Sequence, residues 1–97
     1  MLTGKQRSYL KGLANQLSPA ASIGKAGITE TLVNAIDDYL EKNELIKVSI
    51  QQGIELDAKE AAYEIAGMVR AEFVQALGRR FVLYRRQRDP DKRRIAL

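Results

Sequence analysis

Apolar residues return every three or four positions in some stretches of the chain and every second position in others, and the changes of period predict an α-β-α-β-α-β-β order. Thr3 followed by Gln6 has the form of a capping box, and Leu10, Leu13 and Leu17 follow at helical spacing, which predicts a helix from residue 3 to about 16. Arg7 and Lys11 lie four apart on its other side. Ser18-Pro19 stops that helix, and Ala20-Ala21-Ser22-Ile23 is a short strand candidate running into Gly24. Thr29 can cap a second helix whose Leu32, Val33, Ile36 and Leu40 share one side while Asn34, Asp37, Asp38 and Glu41 face outward, with Asn43 as its stop. Leu45 to Ile50 alternates with β-branched residues and is the strongest early strand.

Gln51-Gln52-Gly53 reads as a turn, and Asp57 with Glu60 marks a third helix, whose stripe is Ala58, Ala61, Ala62, Ile65, Ala66 and Val69. Small residues let such a helix sit close to a sheet. Phe73 to Leu77 and Phe81 to Tyr84 flank Gly78-Arg79-Arg80, a pattern for two antiparallel strands and a tight loop. The charged stretch 87–97 is expected to fray.

Ninety-seven residues suit one domain, 1–97, which on surface scaling buries about 65% of its unfolded-state surface. With 45% apolar residues and no run near the roughly 20 needed to span a bilayer, no membrane crossing is expected. The chain has no Cys and no His, so disulfides, thiolate sites and imidazole chemistry are excluded. No charged leader precedes an apolar stretch at the N-terminus, so a cytoplasmic location is expected.

The net charge of +4 is unevenly spread. Residues 1–28 carry Lys5, Arg7, Lys11 and Lys25 and no acid; residues 29–64 set nine acids against Lys42, Lys47 and Lys59; residues 65–97 set nine bases against Glu72, Asp89 and Asp91. Should the termini meet in space, the molecule acquires one positive face that orients a polyanion.

Between the first strand and the second helix lies Gly24-Lys25-Ala26-Gly27. Glycine admits positive φ and lets a phosphate approach the backbone without a Cβ in the way. The N–H groups of Ala26, Gly27 and Ile28 would face outward at the positive end of the second helix, and Lys25 would add a charge at the tip. Neither G-x-x-x-x-G-K-[ST] nor G-x-G-x-x-G occurs, which removes the common nucleotide-hydrolysing and dinucleotide sites. Asp37, Asp38 and Glu41 fall on an outward helix face and read as solvated carboxylates, so neither metal, cofactor nor catalysis is expected. Phe81-Val82-Leu83-Tyr84 matches only the end of the RNP1 strand signature; Phe81 and Leu83 read as core, whereas Tyr84, on the other strand face beside Arg85 and Arg86, is open to a stacking role.

Lys11-Gly12-Leu13-Ala14, Gly24-Lys25-Ala26-Gly27-Ile28-Thr29, Glu44-Leu45-Ile46-Lys47-Val48 and Gly78-Arg79-Arg80-Phe81-Val82-Leu83-Tyr84-Arg85 together resemble the YhbY family, stand-alone bacterial forms of the CRM domain, the chloroplast RNA splicing and ribosome maturation module. The resemblance covers nearly the whole chain; the tail after Arg86 is its least readable part. It implies an α+β two-layer sandwich with a mixed four-stranded sheet, similar to the C-terminal domain of translation initiation factor 3, and a KH-like GxxG loop. It also implies a protein that binds RNA, in particular ribosomal RNA in large-subunit precursors; the chain is expected to be monomeric and, from its residues, non-catalytic. The residues expected to meet RNA are Arg7, Lys11, Gly24, Lys25, Ala26, Gly27, Ile28, Thr29, Arg79, Arg80, Tyr84, Arg85 and Arg86. The competing expectation is a protein-interaction module that docks a basic ribosomal protein on the acidic second helix.

Overall fold

Thr3 opens the first helix as the sequence indicates: its hydroxyl accepts the Gln6 amide at 3.1 Å while the Gln6 side chain accepts the Thr3 amide at 3.0 Å. In the computed structural model, which describes residues 2–97 and leaves Met1 outside, this helix, α1, spans Gly4–Ala14. It ends two residues short of the expected point. The amides of Gln16 and Leu17 bond three residues back, to Leu13 and Ala14, tightening the last turn ahead of Ser18-Pro19.

The strand β1 (Ala21–Ile23) leads through the glycine turn to α2 (Glu30–Asn43), capped by the Thr29 hydroxyl, which accepts the Leu32 amide at 3.1 Å. Then come β2 (Leu45–Ile50), α3 (Ala58–Val69) under the Asp57 cap, and the hairpin β3 (Glu72–Leu77) and β4 (Arg80–Tyr84). The hairpin loop is Gly78-Arg79 with Gly78 at φ +62°, the left-handed geometry that suits the first position of a two-residue turn. The sheet order is β1-β2-β4-β3, with β1 parallel to β2 and the other pairs antiparallel. The four-stranded sheet is therefore mixed, as expected.

Strand alternation sorts two apolar sets. Ile46, Val48, Ile50, Phe81 and Leu83 face α2 and α3, where Ala61, Ala62 and Ala66 keep the helix axis near the strands. Leu45, Val74, Val82 and Tyr84 face the other way, against Leu10 and Ala14 of α1. Both sheet faces are covered for part of their length, so the expected two-layer sandwich gains a third layer.

That third layer also corrects the reading of the tail. Ile95 and Leu97 pack into the α1-side cluster, beside Leu2, so the two termini do meet. A fully buried Glu44 holds the tail in place: its Oε2 accepts the Gln87 amide at 2.9 Å and its Oε1 accepts those of Arg94 and Ile95, the latter at 2.9 Å. Arg94 Nε donates to the Lys42 carbonyl and Arg93 Nε to the Gln87 carbonyl, both at 2.8 Å, while the Gln87 amide group reaches the Glu41 carbonyl. Stretch 87–97 was expected to fray because its charges hide two apolar residues and because no local pattern announces a buried acid 43 residues upstream. Burial alone would raise the Glu44 carboxyl, but the three backbone donors, with the Arg93 charge nearby, outweigh it and hold the group below its ordinary value. Glu44 sits at φ +67°, the turn that carries the chain from α2 into β2.

Candidate nucleic-acid interface

Three loops and two helix N-termini meet at one pole of the sheet. β1 and β2 are parallel and both point there, and β4 begins there because Arg80 pairs with Ser49. The glycine turn, the β2–α3 connection and the hairpin loop are consequently neighbours: the Gln51 amide donates to the Ile23 carbonyl, the Ile50 amide to the Arg79 carbonyl, and a Cβ built on Gly24 would come within 3.1 Å of the Gln51 side chain. The N-termini of α2 and α3 lie at this same pole.

Gly24-Lys25-Ala26-Gly27 forms a β-turn in which the Gly27 amide donates to the Gly24 carbonyl at 2.9 Å, with Lys25 and Ala26 exposed at its tip. Gly27, at φ +74°, needs to be glycine for its backbone angle, whereas a Cβ at Gly24 would only press on the end of the flexible Gln51 side chain. The Gly27 amide is spent inside the turn, so it does not face outward as expected. The amides of Ala26 and Ile28 make no hydrogen bond among the described residues and remain available. Ile28 packs its side chain on the α2/α3 core, and the Thr29 hydroxyl is committed to its cap.

From this turn the α1-side face of the sheet runs inward. Cross-strand register puts Ser22, Ser49, Arg80 and Leu77 in one row and Lys47, Val82 and Gln75 in the next. α1 covers only the far part. Asn15, Lys47, Gln75, Leu77 and Arg80 line a shallow hollow of about 110 Å³ over Val82, and none of these residues is acidic. Among the described residues, ion pairs join only Arg85 to Asp37 and Glu41, which leaves Lys11, Lys25, Lys47 and Arg80 without a carboxylate partner. Period-two alternation in Leu45 to Ile50 already places Lys47 and Ser49 opposite Ile46, Val48 and Ile50; that was the signal for these two unflagged residues.

The hairpin arginines separate. Arg79 turns back on the scaffold, its guanidinium donating to the carbonyls of Ile50 at 3.3 Å, Gln51 at 2.8 Å and Ile54. Arg80 lies on the open face. Arg85 sits at the opposite pole, bonded to the Asp37 carboxylate, to the Asp37 carbonyl at 2.9 Å and to the Val69 carbonyl at 2.8 Å. Asp37 and Glu41 stay about half-exposed, as expected of an outward helix face, and each also meets Arg85, which tethers α2 to α3. Arg86 is exposed at that far pole.

Tyr84 corrects another expectation: it is 3% exposed and cannot stack on a base. Its strand face is the right one, but α1 and the tail cover that end of it. Burial, with the Glu44 charge added, pushes its phenol up, and Arg86 and Arg93 offset part of this.

Three helices on a mixed four-stranded sheet, with an unpaired cationic face at one pole, make this a small α+β domain whose open surface suits a polyanion. The chain belongs to the CRS1 / YhbY (CRM) domain family, whose model matches residues 2–85. It is 37% identical over 89 residues to the Bacillus subtilis protein named "Probable RNA-binding protein YqeI", an alignment covering 92% of this chain and 93% of that one. A Haemophilus influenzae protein named "RNA-binding protein" is 38% identical over 85 residues, covering 87% of this chain and 85% of its own length. The solution structure of the hypothetical protein SAV1595 from Staphylococcus aureus, described as a candidate RNA-binding protein, superposes with a TM-score of 0.81 at 42% identity, covering 99% of this chain and 100% of that one. None of the helices among the described residues is long and apolar enough to cross a membrane.

Proposed function

We propose that this chain binds structured RNA by its phosphate backbone, without catalysis, through the turn Gly24 to Gly27 and the adjoining open sheet face. The RNA-binding names of its relatives support this reading. The observation that carries it is a set of cations without ion pairs among the described residues: Lys25 at the tip of a turn that presents two unbonded amides, Lys47 and Arg80 on the open sheet face, and Lys11 toward the β3 edge. Backbone N–H groups at a helix N-terminus fit phosphate oxygens, and flexible cations add affinity that carries no base information. The resemblance stated above directs the proposal to ribosomal RNA in precursors of the large subunit, with the protein acting as a monomer in the cytoplasm. Docking of a basic ribosomal protein on α2 is less well supported, because Arg85 already occupies Asp37 and Glu41.

Changing Lys25 and Ala26 both to Asp, and separately Lys47 and Arg80 both to Glu, should leave the far-UV circular dichroism intact and weaken binding to a large-subunit ribosomal RNA fragment. Four neutralised phosphates give a log–log salt slope of about −2.8 on single-stranded RNA. Arg79 and Arg80 should part company: Arg80→Ala lowers affinity and spares stability, while Arg79→Ala lowers stability by orphaning carbonyls of the 50–54 turn. Unchanged affinity in both charge-reversed proteins would remove this surface from RNA binding.

A further inference from the structure

Beside the open face, on the far edge of the sheet, a groove of about 600 Å³ runs along β3. β3 pairs only with β4, so its outer backbone edge has no strand partner among the described residues. Helices from the two sheet faces flank it, each offering residues four apart: Arg7 and Lys11 from α1, Lys59 and Tyr63 from α3. Three cations oppose a single acid, Asp57. Tyr63 lies on the Phe73 ring, centroids 4.6 Å apart and planes at 18°, yet is 54% exposed. Arg7 Nε is buried with no hydrogen-bond partner among the described residues. Phe73 thus fixes one face of a flat ring, and the groove lies before it.

We infer that this groove holds an unpaired nucleotide of the bound RNA, its base stacked on Tyr63 and its flanking phosphates on Arg7, Lys11 and Lys59. The inference rests on the RNA-binding reading and deepens it, since the sheet face grips backbone whereas this groove selects single-stranded over paired RNA. An aromatic platform among cations is what single-strand recognition requires, because every base has a π-face and a duplex exposes none along its length. An extended peptide adding to β3 is the other occupant such an edge invites. Here the ladder is broken by the bulge between Phe73 and Gln75, which twists the edge and interrupts the hydrogen-bond row a peptide needs.

The test compares the intact chain with Tyr63→Ala and Tyr63→Phe, on an RNA hairpin with an unpaired loop and on a fully paired duplex of the same stem. Tyr63→Ala should weaken hairpin binding about tenfold, the scale of one lost stacking contact, without changing the salt slope. Tyr63→Phe should bind as the unaltered chain does, and the duplex should not distinguish the three. Tyr63→Leu, which keeps packing on Phe73, should reproduce the alanine result and guards against a misfolded alanine variant. Equal hairpin affinity in all variants, or an equal loss on the duplex, would overturn the groove while leaving the sheet face intact. Saturation of the β3 edge by an extended peptide without displacement of RNA would overturn it as well. If the unaltered chain bound neither RNA, the underlying reading would fall with it.

Discussion

Replacing Glu44 by Gln changes one atom at the point where the C-terminal tail meets the fold. Oε1 remains an acceptor for the amides of Arg94 and Ile95, but the site of Oε2, which takes the Gln87 amide at 2.9 Å, becomes an NH₂ facing an N–H. One charge-assisted bond is lost, at about 1.5–3 kcal/mol, and the other two weaken as the charge goes. A total near 3 kcal/mol follows, below the sum of three independent bonds, because the tail can undock and let water satisfy its amides. For a domain of this size, about 4–8 °C of melting temperature per kcal/mol turns that into a fall of about 12–24 °C. Thermal unfolding by circular dichroism measures the total, and amide hydrogen exchange at Gln87, Arg94 and Ile95 locates it. A fall under about 4 °C with unchanged protection at those three amides would refute the claim that Glu44 holds the tail. Glu44→Gly makes a useful comparison: it loses the carboxylate but relieves a positive φ that costs a non-glycine residue about 1 kcal/mol or more, so it should melt above Glu44→Ala.

Acidification should release the same tail. The Glu44 carboxyl is held below its unfolded value of about 4.3, so its contribution is complete above that pH and is lost as pH falls through the lower folded value. Methyl resonances of Ile95 and Leu97 should stay constant from neutral pH down to about 5 and move to exposed positions only once the pH has dropped below the ordinary carboxylate range; movement already at about pH 6 would contradict this. In the glycine turn, Gly27→Ala should cost about 1 kcal/mol through its positive φ, whereas Gly24→Ala should cost less because the Gln51 side chain can swing away. Urea unfolding of the two variants reads the difference, and the opposite order would show that the turn is held by something other than backbone geometry.

The element order was legible because each helix announces its start chemically: Thr3, Thr29 and Asp57 all cap as their side chains suggest. The strand faces were legible too, down to Phe81 and Leu83 in the core. The sequence could not tell which part of the second face stays open. Tyr84 and Arg80 share that face four residues apart, and only the cover of α1 and the return of the tail bury one while the other stays exposed. The arginines pose the same difficulty. Arg79, Arg80, Arg85 and Arg86 look alike as charges, yet two are consumed by carbonyls and carboxylates brought near by non-local folding. Local pattern reports what a residue can do, and tertiary contacts decide which residues remain free to do it.

The sheet order has a consequence for how the molecule is made. β2 lies at the centre but its second neighbour is β4, the last strand, so residues 45–50 wait for residues 80–84 before the sheet can close. A chain emerging from the ribosome can form α2 and pair β1 with β2, and must then hold an unfinished apolar edge until the local β3–β4 hairpin arrives as a unit. Glu44 remains a carboxylate without its backbone donors until residues 87–95 follow. A chain cut short before Gln87 lacks all three backbone donors of the Glu44 carboxylate, so the docking of residues 87–95 and the burial of that acid come together.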